Sequence, residues 1–340
     1  MNENSNILLT SSEIASIWTS YLNNSMSIQI LRYFQHNVED IAIKQIIELA
    51  LDISTNHLEK LTNLFQSENI PIPNGFTESD VNIQAGRLYT DPFMLTYLNH
   101  MSKAGMLGYS GFLSMTARKD VRTIFKKALH HTVDLFEDSS EVLLEKGMFI
   151  RSPYIDYPKE TDYVDSKSYL SGLNPFSTKR PLNTVELSHL HMNIQNNLIG
   201  AKLSTSFGQS SPRKEVQQLM IQGKDISEKH TKIFTSTLID NDTQSPISAD
   251  VSITNSTDQV FSDRLIIFHQ GFLTAAGTGN YAAAAAASQR SDLIVNYERL
   301  SLEIAQYAKD IAYLMIKNEW LEQPPGTMDK DRLIKEKKQL

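Results

Sequence analysis

The chain is written twice. Aligned with itself at a shift of 173, it pairs Leu9 with Leu182, Glu13 with Glu186, Asn23-Asn24 with Asn196-Asn197, and His57 with His230. At a shift of 172 it pairs Asp91 with Asp263, Ala104-Gly105 with Ala276-Gly277, Tyr109 with Tyr281, Arg118 with Arg290, Asp138 with Asp310 and Pro153 with Pro325. Collinear matches over nearly all 340 residues mark a duplication, with one residue lost in a loop. Solenoid repeats run roughly 20–50 residues, so a unit this long is expected to be a complete domain. The expected boundaries are 1–150 for the first domain, 182–325 for the second, 151–181 for the connection and 326–340 for a charged, solvated tail.

Each copy reads as four long helices. Thr10 with Glu13 three residues on, and Asn183 with Glu186, form capping-box patterns at the first helix of each copy. The second helix is expected from about Asn37 to Ser67 in the first copy, and Ser211-Pro212 is expected to open it in the second. A connection of about twenty residues follows, longer than most loops. The third helix is expected at Asp91-Pro92. The fourth starts near Asp120 and stops at Lys146-Gly147. Four helices with a long crossover between the second and third make the ferritin-like pattern. Strand-like alternation is nearly absent. The expected fold class is therefore all-α, two tandem ferritin-like four-helix bundles.

Two segments carry further expectations. The connection holds Pro153, Pro158, Pro175 and Pro181 together with Tyr154, Tyr157, Tyr163, Tyr169 and Phe176. Flexible linkers are rich in Gly and Ser, so this one is expected to lie against the domains with its aromatics buried. The third helix is apolar or small on every side, with Gly105 and Gly108 in one copy and Gly277, Gly279 and Ala282 to Ala287 in the other. Glycine costs helix stability, so this helix is expected to meet another closely, in the other copy or in a homo-oligomer. The alanines alone also make a strong helix former.

Candidate chemistry sits on the second and fourth helices. His57 and His230 fall on apolar stripes, and an acid lies on the facing stripe at Asp138 and Asp310. The economical reading is two buried pairs, His57 with Asp138 and His230 with Asp310, which satisfies buried polar groups. A di-metal centre needs about six ligands, including two Glu-x-x-His motifs. The chain has only Glu186-Leu187-Ser188-His189, at a helix start, so no metal and no cofactor are expected. Arg118 and Arg290 are expected to bond Asp91 and Asp263 or helix-end carbonyls. Tyr109 and Tyr281, with the linker aromatics, could line a pocket between the copies. No catalytic residue is read: His130, His131 and His36 have no repeat match, and no nucleophile triad or phosphate loop is present.

Composition narrows the rest. With no cysteine, disulfides, thiolate metal sites and a cysteine nucleophile are excluded. The net charge of −7 argues against nucleic acid. No apolar run reaches membrane-spanning length, and the polar start is no secretory signal, so a cytoplasmic protein is expected.

Several motifs point further. They are Ile70-Pro71-Ile72-Pro73-Asn74-Gly75-Phe76, Lys146-Gly147-Met148-Phe149-Ile150-Arg151-Ser152-Pro153-Tyr154, Gly223-Lys224-Asp225-Ile226-Ser227-Glu228-Lys229-His230, Phe261-Ser262-Asp263-Arg264 and Asn318-Glu319-Trp320-Leu321-Glu322. Together they resemble a tandem-repeat family of unknown function from endospore-forming bacteria. The resemblance covers nearly the whole chain. It implies a ferritin-like fold. Some members carry a spore-coat label through similarity to the coat protein F-like group. That implies a non-catalytic structural role in the mother cell or spore, with coat components as partners. A metal- or small-ligand-binding protein using a degenerate bundle site is the alternative.

Overall fold

The computed structural model describes residues 7–174, 179–246 and 252–336. The first half contains α1 (Ser11–Asn37), α2 (Ile41–Ser67), α3 (Asp91–Ser114) and α4 (Lys119–Glu145). The second contains α5 (Thr184–Ser210), α6 (Lys214–Ile239), α7 (Asp263–Ala287) and α8 (Ser291–Lys317), and α9 (Lys330–Glu336) turns part of the tail into a short helix. Among the described residues there is no strand, and no helix is long and apolar enough to cross a membrane. Pro175 and Phe176 lie outside the described residues.

Local chemistry sets the helix ends. Thr10 and Asn183 each close a full capping box with Glu13 and Glu186. Gly147 stops α4 at φ 67°, a left-handed conformation that glycine adopts without penalty, and the Met148 amide then donates to the Leu143 carbonyl at 2.8 Å. Two starts differ from the sequence reading. Asp40, not Asn37, precedes α2 and accepts from the Ile43 amide at 3.1 Å. Helix α6 begins three residues after Ser211, whose hydroxyl donates to Asp263 Oδ1 at 2.6 Å and accepts from the Arg213 amide at 3.2 Å.

Within each half the helices pack by their apolar faces: α1 on α2, α3 on α4 and α2 on α4, then α5 on α6, α7 on α8 and α5 on α7. The halves are joined through the long crossovers between α2 and α3 and between α6 and α7. The Asn82 amide donates to the Val260 carbonyl at 2.7 Å, and its repeat-equivalent, the Thr254 amide, donates to the Leu88 carbonyl at 2.9 Å. Val81 bridges Phe261 while Tyr89 bridges Ile253, the same pair with the copies exchanged. Contacts that survive such an exchange define a pseudo-two-fold axis. On that axis Tyr97 meets His269, its own equivalent, with the phenol oxygen 2.7 Å from Nε2.

This joint gives the two halves a shared core. The largest core cluster mixes Phe34, Tyr89, Phe93 and Tyr97 from the first half with Phe207, Phe261, Leu265 and Ile266 from the second. Each half leaves one end of its core uncovered, and the other half covers it. The connection corrects the sequence reading: Tyr154, Tyr157 and Tyr163 are 77%, 83% and 89% exposed. Among the described linker aromatics, Tyr169 docks, stacking under the Arg180 guanidinium at 3.9 Å and placing its hydroxyl 3.2 Å from Asn183 Nδ2.

Candidate functional site

The two repeat histidines lie deep in their halves but not against the expected acids. His57 Nε2 is 3.1 Å from His131 Nδ1, and the two rings stack. His230 Nε2 is 3.0 Å from Glu303 Oε2. Asp138 is exposed, and Asp310 accepts instead from Gln222 and Gln306 at the surface. The correction is two helical turns: His131 and Asp138 share one stripe of α4, as Glu303 and Asp310 share one of α8. The helices are aligned so that the earlier residue meets the histidine. Position 131 and position 303 are repeat equivalents.

A tyrosine and an asparagine complete each constellation. Asn24 Nδ2 donates to the Tyr109 hydroxyl at 3.1 Å, and Asn197 Nδ2 to the Tyr281 hydroxyl at 2.7 Å. The Tyr281 hydroxyl also lies 2.9 Å from His230 Nδ1. Burial, with help from His131 and Lys60, pushes the His57 pKa down to about 4, so this imidazole is neutral at neutral pH. Burial also lowers His230, but the Glu303 carboxylate partly offsets it. These residues do not fit the di-metal centre of ferritin-like bundles. One half presents two stacked imidazoles and the other a single histidine–carboxylate pair. Among the described residues no three His, Cys, Asp or Glu side chains are placed to hold a metal.

The matched Asp and Arg positions serve the corners. Asp91 and Arg118 lie at opposite ends of α3, about 36 Å apart at ~1.5 Å per residue, so they cannot pair. Asp91 instead bonds Arg87 at 2.6 Å and accepts from the Asp40 amide at 2.7 Å. Asp263 takes Arg213 at 3.2 Å. Arg118 grips Asp120 with two nitrogens, Glu68 at 2.6 Å and the Ile7 carbonyl at 3.1 Å. Arg290 repeats the grip on Asp292 and adds the Arg180 carbonyl and Asn241. Beneath each arginine a buried glutamate, Glu13 or Glu186, accepts from its backbone amide.

Beyond the Tyr97–His269 contact lies a cleft of about 720 Å³ between α3 and α7, floored by residues of the flanking helices. Tyr109 and Tyr281 are on its wall, as is His57; none of the described linker aromatics is. The small residues of α3 and α7 line it too, which revises their role. A Cβ built at Gly108 or Gly279 meets nothing within 4 Å. These two glycines therefore border open space, whereas a Cβ at Gly105 would meet Thr132 of α4 at 2.8 Å, a close approach within its own half. The sequence reading also missed Lys103. It is the single lysine of α3, and its repeat equivalent is Ala275. That asymmetry was the available signal.

Fold and cleft together define an all-α protein of two fused repeats with a ligand-sized space between them. The chain belongs to the family described as protein of unknown function DUF3231, which it matches over residues 2–161 and 170–333. A solved structure of a protein described as a putative spore coat protein from Bacillus halodurans is 20% identical, with a TM-score of 0.39; the match covers 47% of this chain and 100% of that one. No curated protein matches the chain.

Proposed function

We propose that this chain is a ferritin-like, non-catalytic binding protein that holds one small, largely apolar molecule in the cleft between its repeats. The observation that carries this reading is the cleft itself. Its volume, about 720 Å³, falls within the roughly 300–1,000 Å³ typical of small-molecule sites. The surface it exposes is mainly apolar, and polar side chains such as Tyr109, Tyr281 and Asn24 are interspersed along it. The two repeats approach it from both sides, which gives the duplication a use. A neutral fluorescent probe, N-phenyl-1-naphthylamine, tests the idea. The intact chain is expected to bind one equivalent. Ala276→Trp, which fills the cleft from α7, is expected to weaken binding at least about ten-fold at unchanged helical content.

A spore-coat-associated structural role is the second reading. It draws on the family resemblance and on the exposed tyrosines at 154, 157 and 163, which offer surface for other proteins. Without cysteine, such association would rest on packing or on enzymatic cross-links through other residues, not on disulfides. This reading is the one left standing if Ala276→Trp leaves probe binding unchanged.

A further inference from the structure

The cleft is built from two repeats, so its symmetry is a reference against which differences stand out. Many wall positions are matched: Tyr109 with Tyr281, Asn24 with Asn197, Ala104 with Ala276. Others differ, and two of these place a basic side chain in the first repeat alone. Lys103 of α3 has Ala275 as its equivalent in α7, and His100 has Phe272. Both basic members lie one turn apart on the same helix, and both line the cleft.

Lys103 has no counter-ion. Among the described residues its ammonium forms no ion pair, and its nearest recorded partner is the Phe136 ring at 5.8 Å. Burial alone lowers its pKa, with no carboxylate to offset the loss. Its charge is felt by two neighbours, His100 and His191, whose own pKa values are lowered chiefly by burial; His100 falls to about 4. His100 is hydrogen-bonded to Asn196, yet the buried Asn196 Nδ2 has no acceptor. Asn196 also lines the cleft. One region of the wall therefore holds an unpaired cation and an unpaired N–H donor. At the symmetry-related positions Asn23 matches Asn196, but a phenyl ring and a methyl group, Phe272 and Ala275, stand in place of the two basic side chains. Groups left half-buried without partners are costly, and a ligand that supplies an anionic acceptor would relieve both.

We propose that the cleft binds a single-chain amphipathic carboxylate, its head paired with Lys103 and Asn196 and its chain lying along the apolar wall toward Phe272. This rests on the cleft being a ligand site, and the experiment separates the two claims. Calorimetric titration of the full chain with dodecanoate is expected to show one site. Dodecan-1-ol, with the same chain and no charge, is expected to bind at least about ten-fold more weakly, because a hydroxyl beside the ammonium supplies no counter-charge and forgoes the ion pair. Lys103→Met is expected to cost dodecanoate about ten-fold or more and to leave the alcohol within about two-fold. Equal wild-type affinities for acid and alcohol, or an undiminished acid affinity in Lys103→Met, would overturn the carboxylate assignment while the cleft site stands. The wild-type comparison needs no variant to fold. Failure of both ligands to bind would overturn the carboxylate and the site together.

Discussion

Replacing Arg290 by alanine is expected to cost about 3–5 kcal/mol of stability, the range for breaking a buried charge network from one side. Arg290 is 1% exposed. Its guanidinium holds Asp292 through two nitrogens at 2.8 and 3.2 Å, the Arg180 carbonyl at 2.9 Å and Asn241 Oδ1 at 3.1 Å. Removing it leaves those acceptors with fewer donors at the corner where α7 meets α8. Arg32 supplies the contrast. It also pairs with a carboxylate, Glu78, but its side chain is 39% exposed and its partner's 82%, so Arg32→Ala should cost less than about 1 kcal/mol. Denaturant unfolding of both variants checks the difference. A loss below about 1 kcal/mol for Arg290→Ala would contradict the account of the corner.

The second large effect concerns the halves. A fragment ending near residue 150 should not exist as a stable folded monomer. Phe34, Tyr89, Phe93 and Tyr97 would lose Phe207, Phe261 and Leu265, against which they pack. Because the joint is isologous, the fragment carries both sides of its own interface. Two copies can rebuild the crossover contacts, with Tyr97 now facing Tyr97. Size-exclusion chromatography with light scattering should therefore report a dimer or larger species. A cooperatively folding monomer would show that the shared core matters little.

How much of this was legible from residues follows from what periodicity can carry. A 3.6-residue stripe gives the face of a helix, so the inward direction of His57 and His230 was readable. It does not give the height at which a facing helix is aligned. His131 and Asp138 are equivalent choices on one stripe, and only packing selects His131. The capping boxes at Thr10 and Asn183 were readable because cap chemistry is local. The Arg118 grip was not, because its partner Glu68 lies 50 positions away. The glycines of α3 and α7 were ambiguous for a different reason. A missing side chain fits a close neighbour and an open cleft equally well. The exposed linker tyrosines show the limit of composition: aromatic content predicts burial on average, but 154–163 find no core to enter.

The central claim is that the space between the repeats is a binding site. A diazirine-bearing alkyl probe, photolysed on the full chain and mapped by peptide mass spectrometry, tests it most directly. The account predicts adducts confined to the C-terminal parts of α3 and α7 and to the flanking residues of the cleft, suppressed in Ala276→Trp. Adducts spread over the exposed linker and outer helix faces, at the same level in that variant, would contradict it.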